Sequence, residues 1–461
     1  MRRHPSPVIV LLAVSVLAAA CSSAESIPGG PDPIGSPAPE NTVASPALPT
    51  SIPSLSEDID ALLSPFSAGF DPNRIQRIGE SDNPSLAWVL SDMLRFADSS
   101  EARTALERAF WDLTDLEEGS VSGWTGITDY LIAEDIPAPE DYQRWKSTLY
   151  VRFGEAWAPF FDDLDADVDW RLVSWGGVGI DDRPVEEADR PCFTCIPSLN
   201  DPQLTGVAGG DWYPNERLVF GVEVNGEARA YPKNQMEVHE MVNDTIGGRR
   251  IGLIYCTLCG TAQAFFTDEL PDGIDTPTGA FELRTSGLLS RSNKVMFELH
   301  TLSYFDTFRG VAISGPLQDV GLELEPVSVA VATWAEWKAG HPNTTIVAED
   351  GGLGRTYPLD PLRGRDDNGP IFPIGDVDPR LPVQDQVLGV RHEGVTVAFP
   401  EIATRIALSR GDAVEFEGIT VRLESGALSA FTPEGELIAT HQSFWFAWSQ
   451  FFPETDLWSA A

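Results

Sequence analysis

Arg217-Leu-Val-Phe-Gly-Val-Glu-Val-Asn225-Gly226-Glu-Ala-Arg-Ala-Tyr231-Pro232 reads as strand, turn, strand. Short β-branched runs flank Asn-Gly, the dipeptide that takes up positive φ most readily, so the stretch predicts a tight β-hairpin. The pattern recurs. Val219 to Pro232 aligns without a gap onto Val387-Leu-Gly-Val-Arg-His-Glu-Gly-Val-Thr-Val-Ala-Phe399-Pro400. Val, Gly, Val, Gly, Ala and Pro coincide, and an aromatic residue precedes each Pro. We read this as duplication of a β-rich unit, with repeats near residues 217–270 and 385–425. The first copy runs on into a Cys-x-x-Cys pair, whereas the second is followed only by the strand-like Val414-Glu-Phe-Glu-Gly-Ile-Thr-Val421.

Upstream the texture differs. Leu86, Val89, Leu90, Met93, Leu94 and Phe96 fall at helical spacing after Asp82 and Pro84. A second helix is expected from Ser99 or Ser100, with Leu106, Phe110 and Leu113 on one face. A third follows Pro139-Glu140-Asp141 and carries Tyr142, Trp145, Leu149, Phe153 and Trp157. The expected fold class is therefore α+β: a helical domain over 57–166, then a β-rich domain over 170–461 with an internal duplication. The helical part has neither Cys nor His, which suits a scaffold or partner surface.

The N-terminus has Arg2 and Arg3, an apolar run from Val8 to Ala20, and Ala18-Ala19-Ala20-Cys21. A basic start, a short apolar stretch and small residues before a cysteine describe a lipoprotein signal over 1–21, with Cys21 lipidated. Residues 22–56 are rich in Pro and Ser, and read as a disordered linker holding the folded part clear of the envelope. The expected location is thus extracytoplasmic and lipid-anchored. No later run of about 20 apolar residues exists to span a bilayer. Acidic residues outnumber basic ones 70 to 31, a formal charge of −39. Such a surface repels phosphate backbones, which excludes nucleic acid as a natural partner and leaves a protein or small ligand open.

Four of the five cysteines form two pairs, Cys192-Phe-Thr-Cys195 and Cys256-Thr-Leu-Cys259. Ahead of the second pair lies Lys233-Asn-Gln-Met236-Glu-Val-His239-Glu240-Met241-Val-Asn243-Asp244. We expect a short helix through about Val242, a turn over Asn243 to Gly248, and a strand ending at Cys256. A helix of about 9 residues spans about 13 Å and a strand of about 6 spans about 20 Å, so a folded-back chain can bring His239 and Met236 toward Cys256 and Cys259. Thiolate, imidazole and thioether donors suit copper(I) or zinc, with Glu240, Asn243 or Asp244 behind them as orienting groups. Thioredoxin-like chemistry fits poorly, since turn and strand, not a helix, follow Cys259. Covalent haem lacks its histidine, because Ile196 and Gly260 follow the pairs. About 60 residues part the two pairs, too many for a compact zinc ribbon. Three readings stay open: a soft-metal binding protein, a thiol–disulfide enzyme, and a binding or structural module whose pairs are disulfides. His341 sits in a turn, and His300, His392 and His441 lie in apolar or strand contexts as structural residues. The aromatic run Phe444-Trp-Phe-Ala-Trp448 is read as core.

Gly221-Val-Glu-Val-Asn-Gly-Glu-Ala-Arg-Ala-Tyr-Pro232, His239-Glu-Met-Val-Asn-Asp244, Tyr255-Cys-Thr-Leu-Cys-Gly-Thr261, Ser286-Gly-Leu-Leu, Trp334-Ala-Glu-Trp-Lys-Ala-Gly-His-Pro342 and Phe444-Trp-Phe-Ala-Trp448 together resemble a bacterial exported family, domain-of-unknown-function family 3179. The resemblance spans about Asp181 to Leu457 and leaves the helical part outside. The family carries no agreed activity, so it implies no reaction. Its pattern of His-Glu-x-x-Asn-Asp with Tyr-Cys-x-Leu-Cys-Gly falls on His239, Glu240, Asn243, Asp244, Cys256 and Cys259. Thr257 stands where the pattern commonly has Pro. Cys192 and Cys195 are not clearly part of it.

Overall fold

The computed structural model describes residues 54–64, 71–188, 190–365 and 369–460. Cys21, the signal segment and all of the linker before Ser54 lie outside the described residues.

Helices occupy the chain from Leu55 to Phe161. The capping signals read from sequence fall where expected: the Ser99 hydroxyl accepts the Ala102 N–H at 3.1 Å, and Tyr142–Phe153 follows Asp141. Trp88, Phe110, Leu131, Tyr150 and Phe160 fill the core between the helices. Inside it Lys146 donates to Asp92 at 2.9 Å, and the Tyr142 hydroxyl donates to the same carboxylate at 2.7 Å. The core continues without a break into Val173, Leu288, Val295, Phe297 and Tyr304 of the first β-sheet. Among the described residues no helix is long and apolar enough to cross a membrane.

From Val173 onward the chain builds several sheets, so the fold is α+β. The first hairpin, Leu218–Val224 with Glu227–Pro232, pairs from Val219↔Pro232 to Val224↔Glu227 around Asn225-Gly226. The second, Gln386–His392 with Val395–Pro400, starts at the equivalent Val387↔Pro400.

The correspondence extends well past the hairpins. Each leads straight into a helix, Lys233–His239 in one case and Glu401–Arg410 in the other. Each has an antiparallel strand on its outer side, Ala330–Thr333 or Thr440–Phe444, placing Ala330 opposite Gly221 and His441 opposite Gly389. Those strands open the helices Trp334–Gly340 and Trp445–Phe451. Beyond them, Thr345–Val347 pairs parallel to the first hairpin and Asp456–Leu457 parallel to the second. A Cβ on Gly221 would sit 2.4 Å from Trp337, and one on Gly389 would sit 2.1 Å from Trp448. Only glycine lets the indole lie flat on the strand.

One expectation needs correction. The helix after the first hairpin stops at His239, and Met241–Ile246 is a strand, not helix and turn. Glu240 takes φ +55°, which ends the helix, and Gly247 and Gly248 turn the chain into Arg249–Cys256. The strand buries both faces, so it shows no alternation to read.

Candidate functional site

The strand Arg249–Cys256 delivers Cys256 to a tight turn that returns as Thr261–Phe266. Cys256 and Cys259 are joined by a disulfide across that turn, and are 4 % and 1 % exposed. They pack with Phe308, Trp445 and Trp448, and the Cys259 carbonyl accepts the Phe444 N–H at 2.9 Å. The disulfide-closed turn therefore packs the first hairpin's downstream segment against the second tryptophan helix.

On the other side Cys256 helps to wall a cavity of about 80 Å³ with Glu240, Thr257, Thr285, Lys294 and Ile196. Lys294 Nζ lies 2.6 Å from Glu240 Oε2 and donates to the Thr285 hydroxyl at 3.3 Å. The Thr257 hydroxyl donates to Glu240 Oε1 at 3.2 Å. Burial lowers the Lys294 ammonium below the ordinary lysine range, and the Glu240 carboxylate opposes that shift. A buried lysine–carboxylate pair bordering open volume differs from Lys146–Asp92, which is enclosed in core. At the cavity the polar groups can exchange partners with a bound molecule.

His239 faces away from this arrangement. Its Nδ1 lies 2.9 Å from the Pro197 carbonyl and its Nε2 lies 2.7 Å from the Tyr357 hydroxyl. The carbonyl can only accept, so Nδ1 carries the proton and Nε2 accepts from Tyr357. Burial pushes its pKa down to about 4, so the ring stays neutral. Met236 is 1 % exposed and packs among Leu199, Phe220 and Tyr231. Asn243 ties its strand to the next sheet, donating to the Leu283 carbonyl and accepting the Leu283 N–H, each at 3.0 Å. Asp244 accepts from Arg229 at 2.5 Å and from the Tyr231 hydroxyl at 2.8 Å. Among the described residues no group of three or more His, Cys, Asp or Glu is set to hold a metal ion. Of the residues singled out from the sequence, the structure brings Glu240, Cys256 and Cys259 together. It leaves His239 and Met236 with other partners.

Lys294, Thr257 and Thr285 are the members that sequence reasoning passed over as site residues. Lys294 had one faint signal, a single lysine beginning the apolar run Val295-Met-Phe. Cys192 and Cys195 form a second disulfide in a surface loop. Cys195 is 9 % exposed, Cys192 is partly exposed, and Phe193 between them is 98 % exposed.

The family model described as "Protein of unknown function (DUF3179)" matches residues 194–431, and the chain belongs to that family. No curated protein and no solved structure matches it.

Proposed function

We propose that this chain is an extracytoplasmic, lipid-tethered binding module whose Cys256–Cys259 disulfide braces a small cavity with largely apolar walls, in which Lys294, Glu240, Thr257 and Thr285 receive the polar end of a small ligand. The observation that carries the reading is the burial of both sulfurs beneath Trp445 and Trp448, beside a charged pair that borders open volume. Thiol–disulfide exchange needs a thiolate to reach a sulfur in line with the bond, and burial opposes that at this pair. A soft-metal centre there needs the disulfide reduced and His239 released from Pro197 and Tyr357. The matching strand registers support descent of the two hairpin units from one duplicated unit, with the ligand chemistry in only one of them.

The test is alkylation of envelope-isolated protein under nondenaturing, reductant-free conditions, together with its metal content. The expected result is no alkylation at Cys256 or Cys259 and no stoichiometric copper or zinc. One equivalent of metal that disappears in Cys256→Ser would instead establish the soft-metal reading with His239.

A further inference from the structure

We propose that Cys192–Cys195 is a thiol–disulfide exchange site, separate from the buried brace, and that its co-reactant is an external dithiol. Three observations carry this. The pair is asymmetric: Cys192 is partly exposed, whereas Cys195 is 9 % exposed and bridges Gly179 in a strand-like pairing. One sulfur is therefore reachable, and the other is held behind it. The Cys195 N–H points at Cys192 Sγ from 3.1 Å. A backbone donor there stabilises negative charge on the outer sulfur, as an outgoing or attacking thiolate requires. Finally, the Phe193 ring is 98 % exposed at the tip of the loop, an apolar contact for whatever carries the incoming thiol.

The step balances with the dithiol alone. Its first thiolate attacks Cys192 Sγ, the Cys192–Cys195 bond breaks, and Cys195 leaves as a thiolate that takes a proton from solvent. The dithiol's second thiolate then attacks its own sulfur in the mixed disulfide. Cys192 departs as a thiolate held by the Cys195 N–H, and the co-reactant leaves as a disulfide. Two electrons pass from the dithiol to the cysteine pair. Ile196, the next residue along, lines the cavity beside Cys256, and the Pro197 carbonyl is bound by His239. Exchange at this loop is thus positioned to loosen one wall of the ligand cavity.

The probe is dithiothreitol on the full-length native protein, quenched with iodoacetamide at intervals and mapped by peptide mass, which separates Cys21 from the two pairs. We expect Cys192 and Cys195 to be alkylated at least about tenfold faster than Cys256 and Cys259. Native Cys195→Ser should take up one glutathione at Cys192 from oxidised glutathione, and Cys192→Ser should react about tenfold more slowly at Cys195. Equal rates at the two pairs, earlier opening of Cys256–Cys259, or no glutathione on Cys195→Ser would each overturn the proposal.

Discussion

Gly221 and Gly389 each lie beneath an indole. Each of those indoles donates its N–H to a threonine seven residues on, Trp337 to Thr344 at 3.0 Å and Trp448 to Thr455 at 2.9 Å. Around these contacts the two hairpin units agree in strand order and register. They part company between the helix that follows the hairpin and the strand that precedes the tryptophan helix. In the first unit residues 240–329 fill that interval and hold Glu240, Cys256, Cys259 and Lys294. In the second, residues 411–439 fill it with the strands of a small sheet and contain no cysteine or histidine. The contacts that fix the frame recur, while the cysteines, Glu240 and Lys294 lie in the longer interval of the first unit alone. The surfaces over the two frames differ as well: Glu223 meets His341 at 3.1 Å, while its counterpart Arg391 lies over the Phe452 ring at 4.9 Å.

The sharpest way to break this comparison is to remove the charge that only the first insertion buries. Lys294→Met leaves the Glu240 carboxylate without its cation, and breaking a buried pair from one side typically destabilises by about 3–5 kcal/mol. Urea unfolding should show a loss of that size, largely recovered when Glu240→Leu is added. A loss under about 1 kcal/mol would mean the pair is solvated and the cavity is not a desolvated site.

Acid separates the units next. Each has one histidine where the other has alanine: His239 against Ala407, and His441 against Ala330. Burial pushes both histidines down to about 4, from an ordinary value of 6.5. Between those values the unfolded chain binds protons that the folded chain refuses. Stability is therefore full above the ordinary histidine value and falls as pH drops through the window. At about 1.4 kcal/mol per pKa unit, the enclosed His239 withdraws up to roughly 3 kcal/mol, and the partly exposed His441 less. Asp306, pushed up to about 6 by burial, has the opposite sign and offsets part of this. Unfolding free energies from pH 7 to 4.5 should show the net loss, with a shallower slope in His441→Gln. An unchanged slope would mean that His441 is not held neutral.

The glycines test the frame itself. Gly221→Ala and Gly389→Ala each force a methyl against an enclosed indole, and overpacking of this kind typically destabilises by about 1–3 kcal/mol. Gly389 has the closer approach, 2.1 against 2.4 Å, so its substitution should be the more damaging. A neutral effect at either glycine, measured by thermal unfolding, would remove the equivalence of the two sites.

What could be read in advance follows from how far apart the interacting groups lie. The hairpins, the helix starts at Ser99 and Tyr142, and the helical terminal aromatics carry their signals within a few residues, in turn chemistry, caps and periodicity. Met241–Ile246 does not announce itself as a strand, because Met241, Val242, Asn243 and Asp244 are all buried and show no two-residue alternation. Sequence proximity alone places His239 beside the cysteines. Its ring is instead held by groups 42 and 118 residues away, and no local pattern announces them. Lys294 escaped for the same reason, lying 54 residues beyond the glutamate it neutralises. The cysteine spacing alone left disulfide, metal and redox chemistry open. Burial and neighbours, both tertiary properties, distinguish the two pairs.

The smallest expected effect is also the most direct test that the two frames are one design. The Thr344 hydroxyl accepts from Trp337 and donates to the Thr345 carbonyl at 3.1 Å, and the Thr455 hydroxyl accepts from Trp448 and donates to the Asp456 carbonyl at 3.1 Å. Each hydroxyl thus ties the tryptophan helix to the parallel strand that closes its unit. Thr344→Val and Thr455→Val keep the side-chain shape but leave a buried indole N–H without an acceptor, which should lower stability by about 1 kcal/mol in each case. The two hydroxyls make the same pair of bonds, so the losses should be of similar size in chemical denaturation. A loss at Thr455 with none at Thr344 would show that the repeated geometry bears weight in only one unit. In that case the first frame must be held chiefly by its insertion, through the disulfide and the Lys294–Glu240 pair.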